Sequence, residues 1–191
     1  MKKIIIGIQG DKGSTNERAC RFFSEKHGWA DYEIKFLIST ENVLRELNEG
    51  KIDYGTFAWE SSRGGLVDET REAVKKYDYE KIDEFDFQLD HALLAKPDNE
   101  IDKEDEVKIY SHPQAFKEHA AFLKKKFSKV NLIEEVDTGR AAANLSEGKY
   151  PKNSLSLAGV ACAELFGLDI YLADLPSNVG YLTKIILVKK K

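Results

Sequence analysis

The chain has 191 residues, of which 42% are hydrophobic and 32% are charged, and its formal net charge is −4. This length can bury the core of one domain or of two small lobes, and this charge excludes general nucleic-acid binding through a basic surface. The opening apolar run, Ile4–Ile8, is too short for a signal peptide, and no run approaches the roughly 20 residues of a membrane span. The sequence therefore predicts a cytoplasmic protein that binds neither nucleic acid nor membrane.

The chain contains two cysteines, Cys20 and Cys162, and both lie in stretches with a helical pattern. Two cysteines in a chain with no targeting segment are typical of a reducing compartment. We expect two buried thiols rather than a disulfide.

Strands and helices alternate in the first part of the chain. Short β-branched or aromatic runs predict the strands, and capping residues followed by helical periodicity predict the helices. In chain order they are a strand over 4–8, a helix over about 17–26, a strand over 33–38, a helix over 39–48, a strand over 53–59 and a helix over about 67–76. This order favours an α/β fold, with helices on both faces of mixed, mostly parallel sheets.

Residues 84–95 alternate apolar and polar side chains, which predicts a strand with one solvated face. After an acidic connector at 98–106, the pattern of strands and helices starts again. Its predicted strands cover about 107–110, 131–136, 154–158, 169–172 and 183–188, and its predicted helices cover about 113–127, 139–148 and 160–166. We expect two lobes, one formed by residues 1–86 with 175–191 and the other by residues 87–174.

Several predicted helices begin with a small polar residue directly after a strand. Helix N-termini present unpaired N–H groups and bind carboxylates or phosphates, although serine, threonine and aspartate are also ordinary helix caps. Several such starts in two lobes favour a shared cleft for a small anionic ligand. The starts in question are Gly13-Ser14, Ser62, Ser111-His112 and Asp137-Thr138.

Two cofactor motifs are absent from the sequence. The glycines at 7, 10 and 13 do not have the spacing of a dinucleotide fingerprint. His112 and His119 lie two helical turns apart without a third ligand, so we expect no metal site.

Short motifs are spread over nearly the whole chain, from about residue 4 to residue 188, and the run Ser111-His-Pro-Gln-Ala115 is the most specific of them. Together these motifs resemble the catalytic domain of the prephenate dehydratase family. The matching segments are 10–16, 58–70, 91–94, 111–115, 137–142, 163–168 and 178–185.

The resemblance implies a two-lobed fold like that of type II periplasmic binding proteins, with the active site in the cleft between the lobes. It implies decarboxylative dehydration of prephenate, or of the related arogenate, in phenylalanine biosynthesis. It implies no metal or organic cofactor, a small anionic substrate and a homodimer. The chain ends at Lys191, without the family's ACT regulatory domain, so we expect no feedback through such a domain.

The resemblance also assigns roles to residues. Thr183 takes the place of the family's hydroxyl donor, and Ser62 and Glu60 are predicted beside it as catalytic residues. The predicted substrate-binding residues are Gly13, Ser14, Thr15, Ser61, Ser111, His112, Gln114, Ala115, Thr138, Gly139, Asn178 and Lys184.

The chain departs from the family pattern at several of these motifs. Lysine in place of arginine at position 184, for example, removes bidentate recognition of a carboxylate. The departures are Thr15, Asn16, Ser61, Asp137, Lys184 and Ile185. Two alternatives to a dehydratase therefore stay open: a lyase resembling prephenate decarboxylase that acts on a related dianion, and a non-catalytic binding protein for a small aromatic or dicarboxylate metabolite.

Overall fold

The computed structural model describes residues 3–62, 65–88, 90–97, 99–176 and 179–191. The chain forms two compact units, each with its own sheet: Met1–Gln88 with Tyr181–Lys191, here called unit 1, and Leu89–Gly180, here called unit 2. The units change over at 88/89 and 180/181, slightly later in the chain than the boundaries expected at 86/87 and 174/175.

Unit 1 contains the helices and strands of the first half of the chain and the last strand. Its elements are β1 (Ile4–Gln9), α1 (Thr15–Lys26), β2 (Tyr32–Ile38), α2 (Thr40–Asn48), β3 (Tyr54–Ser61), β4 (Gly65–Leu66), α3 (Asp68–Ala73), β5 (Glu80–Gln88) and β11 (Leu182–Lys189). The sheet has the strand order β2-β1-β3-β11-β5, and β4 pairs with β3.

Unit 2 contains the remaining elements. They are β6 (His91–Ala95), β7 (Val107–Ser111), α4 (Pro113–Lys126), β8 (Val130–Glu134), α5 (Thr138–Ser146), β9 (Ser154–Gly159), α6 (Ala161–Phe166) and β10 (Asp169–Leu172). The sheet has the strand order β10-β6-β9-β7-β8.

Apart from the two-residue β4, which is antiparallel to β3, one strand runs against the others in each sheet. β11 pairs antiparallel with both β3 and β5, so β5 points the same way as the parallel strands β1, β2 and β3. β6 likewise pairs antiparallel with β9 and β10, while β7 is parallel to β8 and β9. The reversed strands β6 and β11 are the ones that the chain enters directly after leaving the other unit. Mixed sheets with mostly parallel strands are thus confirmed.

The strand predicted over 84–95 is wrong in one respect: it is two strands in two units. β5 ends at Gln88 and β6 begins at His91. All residues of β6 are buried, whereas β5 is an edge strand in which only Phe87 is buried. The short apolar run at 92–95 carries no periodicity of its own, so the sequence pattern joined it to β5.

Helices cover both faces of the sheet in unit 1. α1 packs Ala19 and Phe23 against Ile185 and Leu187 of β11. α2 packs on the opposite face, with Ile186 and Val188 of the same strand in its cluster. Alternate residues of β11 therefore face α1 (odd numbers) and α2 (even numbers). This alternation decides which side chains meet at the end of the strand.

A buried threonine in β3 yields a test of the core of unit 1. Thr56 is fully buried, and its hydroxyl has no hydrogen-bond partner among the described residues. We expect Thr56→Val to raise the unfolding free energy by about 1 kcal/mol, because valine has the same shape without an unsatisfied polar atom. Denaturant unfolding measures this change. Thr70→Val is the matched control and should be destabilising, because the Thr70 hydroxyl donates to the Ala58 carbonyl oxygen at 2.6 Å.

The buried thiol of Cys20 should make the stability of unit 1 fall as the pH becomes alkaline. Burial raises the pKa of Cys20 to about 12, whereas in the unfolded chain the thiol titrates near about 8.5. The folded state thus holds this proton more tightly, and the resulting stabilisation is complete below the unfolded pKa and lost as pH rises towards the folded pKa. We expect the difference in unfolding free energy between the wild type and Cys20→Ala to fall by up to about 5 kcal/mol over this range. Urea titrations of both proteins measure it, and a constant difference would contradict the expectation.

Candidate active site

Thr183 lies on the face of unit 1 that α1 covers, in a row across three strands. Its register partners are Ser61 on β3 and Phe87 on β5. Side chains of register partners stand beside one another on the same face of an antiparallel sheet. The Thr183 hydroxyl is half-buried and takes part in no hydrogen bond with any described residue. We call Ser61, Thr183 and Phe87 the Thr183 row.

α1 brings its first turns over this row. The Arg18 guanidinium lies 5.6 Å from the centre of the Phe87 ring. Its Nη2 donates to the carbonyl oxygen of Gln88 at 3.1 Å. The start of α1 and the Thr183 row therefore belong to one side of unit 1.

A charged row lies on the opposite face of the same strands. Lys184 is the register partner of Glu60 and of Asp86, and its Nζ lies 2.9 Å from Glu60 Oε1. The hydrogen bond and charge of Glu60 raise the pKa of Lys184, with help from Glu84 and Asp86. A cavity of about 170 Å³ adjoins this row and is lined by Glu60, Ser61, Ser62, Asp86, Leu182 and Lys184.

The structure thus separates Glu60 from Thr183, which the sequence analysis grouped together as catalytic residues. Glu60 and Lys184 pair with each other on the face opposite Thr183, because neighbouring residues of a strand point to opposite faces. Ser61 stands beside Thr183 because the register of β3 and β11 shifts between Lys184 and Ile185. Such a shift depends on strand pairing and leaves no signal in the sequence.

The helix start predicted at Ser62 is wrong. Ser62 lies in a turn after β3, and the next helix, α3, begins at Asp68. The Ser62 N–H donates to the Leu182 carbonyl oxygen at 2.8 Å, and its Oγ accepts from the Leu182 N–H at 3.1 Å. These two bonds tie the end of β3 to the beginning of β11.

The start of α1 is partly filled by a carboxylate of the chain itself. Glu17 Oε2 accepts the Gly13 N–H at 2.7 Å, and Ser14 Oγ accepts the Glu17 N–H at 3.3 Å. Arg21 neutralises Glu17 at 2.7 Å. The sequence Ser14-x-x-Glu17 is a capping-box pattern and could have indicated this arrangement. Among the described residues, none accepts the N–H groups of Thr15 and Asn16.

A second internal carboxylate fills the start of α2, which was not among the predicted sites. Glu69 Oε1 accepts the Thr40 N–H at 2.5 Å, and Glu69 Oε2 accepts from Gln9 Nε2 at 3.1 Å. Gln9 Oε1 accepts the Ala58 N–H at 2.8 Å and lies 3.4 Å from Asn16 Nδ2. A chain of hydrogen bonds therefore links the starts of α1 and α2.

The start of α5 in unit 2 follows the same pattern. Asp137 is the N-cap, and its Oδ1 accepts the N–H groups of Gly139 at 2.8 Å and Arg140 at 3.2 Å. Thr138 is the first helical residue and is half-buried. The Asp137 side chain thus occupies N–H groups at the helix start that a ligand carboxylate would need.

The Ser-His-Pro-Gln-Ala motif forms the end of β7 and the start of α4. The buried Ser111 hydroxyl donates to the Leu157 carbonyl oxygen at 2.6 Å. His112 caps α4, and its Nδ1 accepts the Gln114 N–H at 3.1 Å. Gln114 Nε2 lies 3.2 Å from Glu118 Oε1, and Ala115 is buried. Asn178, the remaining predicted residue, lies outside the described residues.

Two histidines of unit 2 form a buried pair that the predicted site did not include. His91 Nδ1, at the beginning of β6, lies 3.2 Å from His119 Nε2 on α4. The sequence signal for His91 was the His-x-Leu-Leu motif at 91–94, which is one of the segments that resemble the family. Within the described ranges, no three His, Cys, Asp or Glu side chains form a group that could hold a metal ion.

Among the described residues, no helix combines the length and the apolarity that crossing a membrane requires.

Curated proteins similar to this chain include enzymes of aromatic amino-acid metabolism. The bifunctional chorismate mutase/prephenate dehydratase of Buchnera aphidicola subsp. Schizaphis graminum is 26% identical over 95% of this chain and 46% of its own length. Arogenate dehydratase 2 of Petunia hybrida is 22% identical over 99% of this chain and 45% of its own length. The chain spans about half the length of these relatives.

Solved structures share the fold at low sequence identity. Prephenate dehydratase from Arthrobacter aurescens, a complex with L-Phe, has a TM-score of 0.80 at 20% identity, over 98% of this chain and 61% of that one. A periplasmic substrate-binding protein of an ABC transporter from Coxiella burnetii has a TM-score of 0.54 at 14% identity, over 98% and 84%.

The fold is therefore the two-unit α/β fold of periplasmic-binding-protein-like domains, as expected from the sequence. The sequence model of the prephenate dehydratase family matches residues 6–191. The chain belongs to the prephenate dehydratase family.

Proposed function

We propose that the chain catalyses the decarboxylative dehydration of prephenate or arogenate, which gives phenylpyruvate or phenylalanine, in phenylalanine biosynthesis. Its family and its curated relatives support this activity. The observation that carries the proposal is the Thr183 hydroxyl, which is half-buried beside Phe87 and is not engaged by any described residue.

The reaction breaks two bonds of the substrate ring. The bond to the ring carboxylate breaks and releases carbon dioxide, and its electron pair completes the aromatic ring as the bond to the ring hydroxyl breaks. The departing oxygen takes up one proton from the solvent and leaves as water. Aromatisation supplies the driving force, so the protein needs only to orient the substrate and assist the leaving group.

Thr183 is the residue proposed to assist the leaving group. A threonine hydroxyl is too weak an acid to ionise at neutral pH, so it acts by donating a hydrogen bond to the departing oxygen. Glu60 and Lys184 pair on the opposite face of β3 and β11. We assign them the positioning of the strand that carries Thr183, rather than contact with the reacting atoms, and Ser62 fixes the same strand end through Leu182.

The substrate carboxylates require N–H groups or polar side chains. The N–H groups of Thr15 and Asn16 at the start of α1 have no acceptor among the described residues, so they suit one carboxylate. We propose that the other predicted substrate-binding residues also contribute to binding, each within its own unit. They are Gly13, Ser14, Ser61, Ser111, His112, Gln114, Ala115, Thr138, Gly139 and Asn178.

The proposal is tested by incubating the purified chain separately with prephenate and arogenate. We expect phenylpyruvate, detected by its ultraviolet absorbance, or phenylalanine, detected by chromatography, above a heat-inactivated control. Formation of neither product would contradict the proposal. If either compound then raises the melting temperature without turnover, the chain is a binding protein.

We also propose that the protein is a cytoplasmic homodimer. The dimer follows from the resemblance to the family, and the two buried, reduced cysteines Cys20 and Cys162 suit a reducing compartment. Light scattering of the purified chain tests the dimer, and fractionation of cells that express it tests the location.

A further inference from the structure

The side chain of Asn16 carries a buried oxygen atom that lacks a donor. Asn16 is only 7% exposed, and its Oδ1 has no hydrogen-bond partner among the described residues. A buried carbonyl oxygen without a donor is destabilising, which points to a ligand that satisfies it. Asn16 lies in the first turn of α1, beside the unclaimed N–H groups of Thr15 and Asn16 itself.

The orientation of this amide is fixed by its neighbours. Glu69 can only accept, so Gln9 must direct its Nε2 to Glu69 and its Oε1 to the Ala58 N–H. Asn16 in turn donates its Nδ2 to Gln9 Oε1. Turning the Asn16 amide over would place two acceptor oxygens against each other. The amide therefore directs its nitrogen to Gln9 and leaves its oxygen, an acceptor, without a donor.

The local charge favours a cationic donor over a neutral one. Glu69 accepts N–H groups from Thr40 and Gln9, and no cation among the described residues pairs with it. Its negative charge acts in a half-buried region, where electrostatic effects exceed those in water. A ligand ammonium would satisfy the Asn16 oxygen and be stabilised by this charge, whereas a keto oxygen would meet an acceptor.

We infer that Asn16 makes this chain selective for the α-amino-acid form of the substrate, which carries an ammonium where prephenate carries a keto group. In an α-amino acid, the carboxylate and the ammonium are attached to the same carbon. The N–H groups of α1 bind that carboxylate, and Asn16 Oδ1 accepts from the ammonium beside it. The inference rests on the proposed function and narrows its substrate to arogenate.

The kinetic test compares both substrates in the wild type and in two variants. We expect kcat/KM for arogenate to exceed that for prephenate at least about tenfold in the wild type, since a site that pairs with a donor rejects the analogue without it. Asn16→Leu should bring the ratio close to one by lowering the arogenate value. Asn16→Ser, which replaces the amide with a smaller hydroxyl group, should also lower the ratio. Equal use of both substrates by the wild type, or equal loss of both in Asn16→Leu, would overturn the inference.

A binding measurement separates this inference from the proposed function. Calorimetric titration with L-phenylalanine and phenylpyruvate, which differ by the same amino and keto groups, requires no turnover. We expect the wild type to bind phenylalanine at least about tenfold more tightly, and Asn16→Leu to lose this preference. The preference without turnover would refute the proposed activity but support the ammonium site. Turnover without this preference would support the proposed activity and refute the ammonium site.

A matched control excludes a merely structural role. Asn48, at the far end of α2, donates its Nδ2 to the carbonyl oxygens of Leu44 and Asp78. Asn48→Leu should lower the melting temperature and leave the substrate ratio unchanged. Asn16→Leu should change the ratio with the melting temperature equal or higher, because it removes an unsatisfied buried atom. A lower melting temperature with an unchanged ratio in Asn16→Leu would show that the residue is structural.

Discussion

Replacing Thr183 with valine is expected to lower kcat about 10³-fold while the chain keeps its fold. Valine has the shape of threonine, so the loss isolates the hydroxyl that we propose to donate to the departing oxygen. KM should change little, because this hydrogen bond strengthens only as negative charge develops on the leaving group. Steady-state kinetics with the better substrate measure both constants.

Two further variants make this result specific. Thr183→Ser keeps the hydroxyl and should retain most of the activity. Thr56→Val makes the same chemical change at another position of the same sheet, where Thr56 pairs with Leu187 of β11, and should retain full activity. A fully active Thr183→Val protein would contradict the proposal that the Thr183 hydroxyl assists the leaving group.

The second large effect is expected on stability, at Gly55 of β3. A Cβ atom at this position would lie 2.6 Å from Val43 Cγ1 and 3.2 Å from Val188 Cγ2. The absence of a side chain allows α2 to pack directly on β3, next to Gly7, the register partner of Gly55. We expect Gly55→Val to lower the unfolding free energy by about 3 kcal/mol, because the packed core cannot accept the added volume.

Denaturant unfolding measures this loss, and a double-mutant cycle tests its cause. Val43→Ala removes the closest methyl groups, so it should cost less in the Gly55→Val background than in the wild type. Additive losses would mean that the added side chain is accommodated elsewhere.

The sequence predicted the order of strands and helices because hydrophobic periodicity and capping residues are local signals. Ser14, Asp137 and the proline after His112 mark helix starts where the structure places them. The boundary between β5 and β6 was missed because a fully buried strand shows no alternation. Ser62 was misassigned because a small polar residue after a strand also occurs in turns.

The candidate site was less predictable, because it depends on contacts between distant parts of the chain. Glu69 binds the start of α2 from another helix, and no local pattern joins it to Thr40. Thr183 and Lys184 point to opposite faces because they are neighbours in a strand. The pairing of Lys184 with Glu60, however, depends on the register shift in β3. The fixed orientation of the Asn16 amide likewise requires several side chains in three dimensions.

These contacts change the meaning of the departures from the family pattern. Asp137 is one of these departures, and its side chain caps α5. Internal carboxylates now bind three helix starts, through Glu17, Glu69 and Asp137. Anion binding in unit 1 therefore depends on the N–H groups left at the start of α1, next to the acceptor oxygen of Asn16.

The most direct test of the proposed activity is the identity of the ring in the product. Proton NMR of prephenate and of arogenate, each incubated with the purified chain, distinguishes an aromatic ring from a cyclohexadiene. We predict loss of the diene signals and one aromatic product for each carbon dioxide released. Carbon dioxide release with a non-aromatic product would identify a decarboxylase and contradict the proposed dehydration.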